Sequence, residues 1–208
     1  MKKLLLAALL ALPGVPAPDQ VPARLTAVAH QQSVLEFQQN LNREFLNPEE
    51  SPLTLAEQHQ FTSLPYYATD YAYYVEAALV RDSTSQPFEM ATSTTRRPVY
   101  RKYGELHFVL NGQPQRLSVY QNQELSKKPG FADYLFLPFT DLTNGHGSYG
   151  GGRYLDLRIP PAGATTMTLD FNRAYNPSCA YNHGYSCPVP PAENRLAVPI
   201  PVGVRSEN

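Results

Sequence analysis

The chain predicts a mainly β fold: an antiparallel β-sandwich or a partly open β-barrel of seven or eight strands, preceded by one or two N-terminal helices. Three observations carry that prediction. From Tyr71 onward the side chains alternate with a two-residue period, Asn111-Gly112 separates two such runs, and 14 Tyr and 20 Pro without any Trp suit short extended segments joined by stiff loops.

At the N-terminus, Lys2 and Lys3 precede the apolar run Leu4 to Leu12, which Pro13 and Gly14 close. Charge followed by a short greasy run is the order of a secretory signal, and a helical membrane span needs about 18 apolar residues or more. Val15-Pro16-Ala17 and Val21-Pro22-Ala23 both offer small residues for cleavage, so residues 1–23 are read as a signal peptide cut after Ala17 or Ala23. A periplasmic or secreted protein with no transmembrane segment is expected. Residues 24–208 form one domain, since about 150 residues already bury roughly 70% of the unfolded surface.

Ser33-Val34-Leu35-Glu36 has the spacing of a capping box, and Val34, Phe37, Leu41 and Phe45 follow on one helical face, so a helix is expected from Ser33 to Leu46. Asn47-Pro48 ends it. Thr54 to Glu57 repeats the spacing and predicts a short second helix to Phe61. A strand is expected over Tyr71 to Val80, and Phe88 with Met90 suggests another. Glu105 to Leu110 and Arg116 to Gln121 flank Asn111-Gly112-Gln113-Pro114 and read as a hairpin with a slightly enlarged turn. Further strands are expected at Tyr134 to Pro138, Tyr154 to Ile159, Met167 to Phe171 and Leu196 to Ile200. Pro199 and Pro201 confine the last to an edge or to irregular pairing.

With 17 basic and 18 acidic residues the formal charge is -1, which offers no field for nucleic acid. No cofactor-binding or metal-binding motif is present. Two loops concentrate the chemistry. Asp141 to Asp156 holds several glycines whose amides could form an anion-binding concavity, with Arg153 as a planar fork for a carboxylate or phosphate. In the alternative, Arg153 pairs internally with Asp141, Asp156 or Asp170. The loop lacks the Gly-Lys of a phosphate-binding loop, and His146 stands where a hydrolase elbow needs glycine before Ser148.

The second segment, Asp170 to Tyr181, carries Asp170, Asn172, Tyr175, Asn176 and Tyr181. Its donors, acceptors and flat rings suit a small polar ligand or a sugar, or equally a loop strapped down by its own hydrogen bonds. Cys179 and Cys187, the only cysteines, are read as a structural disulfide, which would stabilise by about 2.5 kcal/mol in the chain-entropy model.

Six segments together resemble a bacterial and archaeal family, domain of unknown function 1684. They are Phe45-Leu46-Asn47, Ser51-Pro52-Leu53-Thr54, Tyr103-Gly104-Glu105-Leu106-His107-Phe108, Leu135-Phe136-Leu137-Pro138-Phe139-Thr140-Asp141, Tyr149-Gly150-Gly151-Gly152-Arg153-Tyr154 and Glu193-Asn194-Arg195-Leu196. The resemblance implies an exported or lipid-anchored protein and carries over no activity, cofactor or catalytic residue. In relatives threonine often stands at the place of Ser148, which weakens a serine-nucleophile reading. This chain lacks the cysteine that would anchor a lipoprotein.

The expectation is a binding module with Asp141, Tyr149, Arg153, Asp170, Asn172, Tyr175, Asn176 and Tyr181 around a small polar ligand or carbohydrate. Two rivals stand beside it: a periplasmic hydrolase using Asp141 or Asp170 as acid or base, and an envelope assembly factor binding a protein partner.

Overall fold

The computed structural model describes residues 24–206; the expected signal peptide lies outside the described residues. Helix α1 spans Ala27–Leu46, starting earlier than the expected Ser33. Thr26 supplies the cap, its hydroxyl accepting from the Ala29 amide at 3.3 Å. Ser33 lies within the helix and donates to the His30 carbonyl at 2.8 Å, the way a mid-helix serine satisfies its hydroxyl. The buried face, Val34, Leu41 and Phe45, follows the expected periodicity and adds His30. Helix α2, Leu55–Gln60, forms on the Thr54–Glu57 capping box as expected.

Seven antiparallel strands form one sheet: β1 Tyr74–Arg81, β2 Phe88–Glu89, β3 Val99–Leu110, β4 Gln113–Asn122, β5 Tyr134–Phe139, β6 Arg153–Arg158 and β7 Thr166–Asp170. Their order is β6-β5-β4-β3-β1-β7, with β2 added beside β3. The sheet curls into a half-barrel, so the partly open barrel is the architecture adopted. Leu155 of β6 and Met167 and Leu169 of β7 share one apolar core although their strands end the sheet on opposite sides. Phe171 completes the curl, its ring 5.7 Å from Phe108 and 5.4 Å from Phe139.

Two expected boundaries move for local reasons. Asp70 accepts from the Ala72 amide at 2.8 Å and holds Tyr71–Tyr73 in a single helical turn, which delays β1. The β3–β4 hairpin closes at Leu110 opposite Gln113, so its turn is the two residues Asn111 and Gly112 and is tighter than expected. Their φ values of 51° and 75° match the twist of the flanking strands.

The stretch Leu196 to Ile200 is not a strand. The alternation read there is real, because Leu196, Val198, Ile200, Val202 and Val204 are all buried, but the segment runs into the mouth of the half-barrel as a plug. Pro199 and Pro201 have no N–H to donate to a ladder. Main-chain pairing there is mainly a short bridge beside Thr140, where the Leu196 amide donates to the Thr140 carbonyl at 2.8 Å, and side chains supply much of the rest. Asn194, fully buried, accepts from the Ser118 amide at 2.8 Å and donates to the carbonyls of Ser118 at 2.8 Å and Pro138 at 2.7 Å. It thereby bridges β4 and β5, which share a single backbone register pair, Tyr120 with Phe136.

Candidate functional site

The two suspected loops meet, but their polar side chains are spent on the protein itself. Arg153 and Asp141 form an ion pair at 2.9 Å, with neither side chain reaching solvent. Arg153 also donates to the carbonyls of Ile200, at 2.7 Å, and of Val202. The other Asp141 oxygen accepts from the Thr143 amide at 2.8 Å, the Thr143 hydroxyl at 2.6 Å and the Ile200 amide at 3.1 Å. Arg153 therefore serves the proline-interrupted plug as a substitute strand, and Asp141 balances its charge. Their expected role of fixing a ligand's polar groups has no exposed surface to act through.

Asp170 faces His30, whose Nε2 lies 3.1 Å from both carboxylate oxygens, and Arg173, whose Nε lies 3.2 Å from Oδ2. Asn172 donates to Asp170 at 2.9 Å and clamps Asp70 through its amide at 2.8 Å and its carbonyl at 2.9 Å. Asn176 donates to the Tyr181 hydroxyl and the Arg205 carbonyl, at 3.2 and 3.3 Å. The Tyr181 ring packs edge-on against Phe45 at 4.9 Å, and burial pushes its phenol up to about 12. With Asp141 and Asp170 each held against an arginine, neither is presented as a free acid or base.

Tyr175 bonds main chain to main chain with Tyr154, at 2.9 and 3.1 Å, and so covers the first half of the outer edge of β6. Its hydroxyl and that of Tyr134 both donate to Oδ1 of Asp156 at 2.7 Å. Asp156 as a residue is exposed, yet the protein packed around its carboxyl holds it above the ordinary carboxylate range, against the opposing pull of the two phenols. Tyr134 was not foreseen: in β5 it read only as one of a run of apolar strand residues, and its partner Asp156 stands opposite Phe136 on the next strand.

Cys179 and Cys187 are both buried and stand as free thiols, so the expected crosslink is not formed in this structure. They are nonetheless neighbours. The Cys179 amide donates to the Cys187 sulfur at 3.1 Å, and the Tyr149 hydroxyl lies 4.0 Å from the Cys179 sulfur. Burial, with the Cys179 sulfur beside it, pushes the Cys187 thiol up to about 11.

Open space lies next to these loops, along the seam where the half-barrel fails to close. A cavity of about 400 Å³ follows the edge of β7 from Thr166 to Thr168 and reaches Leu157 and Arg158 of β6. Its floor is Val75, Leu157 and Met167, its far wall the loop from Pro160 to Thr165, and Arg24 and Glu76 stand at its rim. A second hollow of about 250 Å³ continues it past Leu25 and Leu155 to Asp156, Asp170 and Arg173; Tyr74, Leu157 and Thr168 belong to both. Of the residues expected at the site, Asp170 alone lines this groove. The signal for the rest was the seven-residue link between β6 and β7, longer than a closed hairpin needs. Among the described residues no helix is long and apolar enough to cross a membrane.

A model of the family described as "Protein of unknown function (DUF1684)" matches residues 59–205. The solution NMR structure of an uncharacterized protein from Haloarcula marismortui is similar, with a TM-score of 0.66 and 32% identity over 86% of this chain and 95% of that one. A comparison with curated proteins finds no match. The half-barrel with its clamped C-terminal plug is thus built on Leu135 to Asp141, Tyr149 to Tyr154 and Glu193 to Leu196 within the matched span, and the chain belongs to the DUF1684 family.

Proposed function

We propose that this protein is an exported binding module whose ligand occupies the seam groove between β6 and β7. The supporting observation is the groove itself: about 400 Å³, in the size range of ligand pockets, with an apolar floor and a few polar groups at its rim. The ligand is more apolar than the sugar first expected, because the half-buried Tyr149, Tyr175 and Tyr181 have their hydroxyls against Cys179, Asp156 and Asn176 of the protein itself, while the hydrophobic side chains Val75, Leu157 and Met167 line the space. Export follows from the Lys2-Lys3 and Leu4 to Leu12 pattern, and in an oxidising compartment the neighbouring Cys179 and Cys187 close into a disulfide.

The test is a titration with the apolar fluorophore 1-anilinonaphthalene-8-sulfonate, followed by amide NMR shifts. Changes centred on Leu157 to Thr168 are expected. Changes confined to 141–154 and 176–181, or none at all, overturn the proposal.

A further inference from the structure

The groove runs between two edges of the same sheet, and the main chain there has a definite direction. Leu79 donates to the Thr165 carbonyl at 2.8 Å, and β1 pairs with β7 at Ala77 with Met167 and Val75 with Leu169. In an antiparallel ladder the alternate residues, Thr166, Thr168 and Asp170, then turn their N–H and C=O groups away from β1 and toward the groove. On the opposite side Tyr154 bonds outward to Tyr175, so Asp156 and Arg158, two and four residues on, also face outward. Among the described residues no strand pairs with β7 on this side, or with β6 beyond Tyr154. β6 and β7 run antiparallel across the opening; the fold covers the first half of one edge and, among the described residues, leaves the rest without a strand partner, Asp170 at its end being buried beside His30 and Arg173. A row of unpaired main-chain groups is a template for another strand.

We propose that the ligand is an extended peptide segment, added as a strand in this seam. The inference rests on the groove being the binding site and names what the groove takes. An apolar small molecule would satisfy the floor but none of the five outward-facing backbone positions. A peptide strand satisfies both, since main-chain bonds supply affinity and alternate side chains supply selectivity. Side chains turned inward meet Val75, Leu157 and Met167, and those turned outward meet Arg24, Glu76 and Thr168. The preferred sequence therefore alternates apolar and polar residues. β7 from Thr166 to Asp170 offers about 17 Å of edge, room for about five residues.

The experiment titrates the full chain with a capped heptapeptide of alternating valine and threonine around a central glutamate, with the same peptide N-methylated at alternate amides in each of its two registers, and with decanoate. The plain peptide is expected to bind with shifts at Thr166 to Asp170, and one methylated register to bind at least tenfold more weakly, because it loses the donors facing β7. In the protein, Thr168→Pro removes one outward N–H from an edge position where proline is tolerated, and is expected to weaken the plain peptide by a similar factor while sparing decanoate and fluorophore. Should that variant unfold, the methylated peptides decide alone. Equal binding of all three peptides, or binding of decanoate without any peptide, overturns the peptide assignment and leaves the groove standing. Failure of every probe, the fluorophore included, overturns the groove itself.

Discussion

At the residue scale the decisive contact is Arg153 with Asp141. Removing one partner of a buried pair leaves an uncompensated charge and typically costs about 3–5 kcal/mol. Arg153→Met is expected at or above that range in urea unfolding, because it also releases the carbonyls of Ile200 and Val202. Asp141→Asn combined with Arg153→Met should cost less than the two single changes summed, since no lone charge remains. Additive costs would show the pair to be unimportant. Asp156 behaves differently. Its carboxyl is held above the ordinary value, so the folded state favours the protonated form, and the stability it contributes at low pH is lost as pH rises through the raised value. Asp156→Asn keeps an acceptor for Tyr134 and Tyr175 and removes that loss. It should be more stable than the parent at neutral pH, by a margin that solvent screening keeps small, and no different at pH 3. A variant less stable at both pH values would contradict this.

At the scale of elements, two glycines separate backbone conformation from space. Gly112 sits at φ 75° with nothing around it, so Gly112→Ala carries only the left-handed penalty of about 1–2 kcal/mol. A Cβ on Gly104 would lie 2.5 Å from the Val80 carbonyl oxygen, in the ladder joining β1 to β3. Gly104→Ala should therefore destabilise more than Gly112→Ala in the same urea series, and the reverse order would mean that the ladder yields easily. The cysteine segment is the other element open to test. Ser93 donates to the Cys187 carbonyl and Val189 to the Ala91 carbonyl, both at 2.8 Å, so the strap is held even as thiols. In exported, unreduced protein neither sulfur should react with iodoacetamide under denaturing conditions, and reduction should cost about 2.5 kcal/mol of stability. Alkylation of both without reductant would show that no crosslink forms. Most of these elements were legible: the Thr54 box, the β3–β4 hairpin and strands β5, β6 and β7 follow from local patterns. The plug was half legible, because Leu196 to Ile200 shows in its alternation what is buried and in its prolines that no ladder forms, but not that Arg153 and Asn194 would replace one.

For the whole molecule, local pattern marked the residues that hold the barrel rather than the space it leaves. Asp141, Arg153, Asn172 and Asn176 were conspicuous because buried polar groups must be paired, which is the demand of a scaffold. The groove consists of ordinary side chains, Val75, Leu157, Thr168 and the Pro160 to Thr165 loop, made into a site only by the failure of β6 and β7 to meet. Closure also governs the response to alkali. Burial holds the phenols of Tyr66, Tyr120, Tyr134, Tyr154 and Tyr175 well above the ordinary value of 10.0. The fold therefore favours the neutral form, and this contribution is intact below pH 10 and lost as pH rises past it, by up to about 1.4 kcal/mol per pH unit for each such tyrosine. With no Trp to interfere, absorbance at 295 nm reads tyrosinate directly. Some of the 14 tyrosines should titrate freely near pH 10, and the remainder should ionise in one steep step together with loss of the circular dichroism of the sheet. If all of them ionise near pH 10 while the sheet persists, the aromatic cluster over β5 and β6 is open to water and the packing described for Asp156 cannot hold.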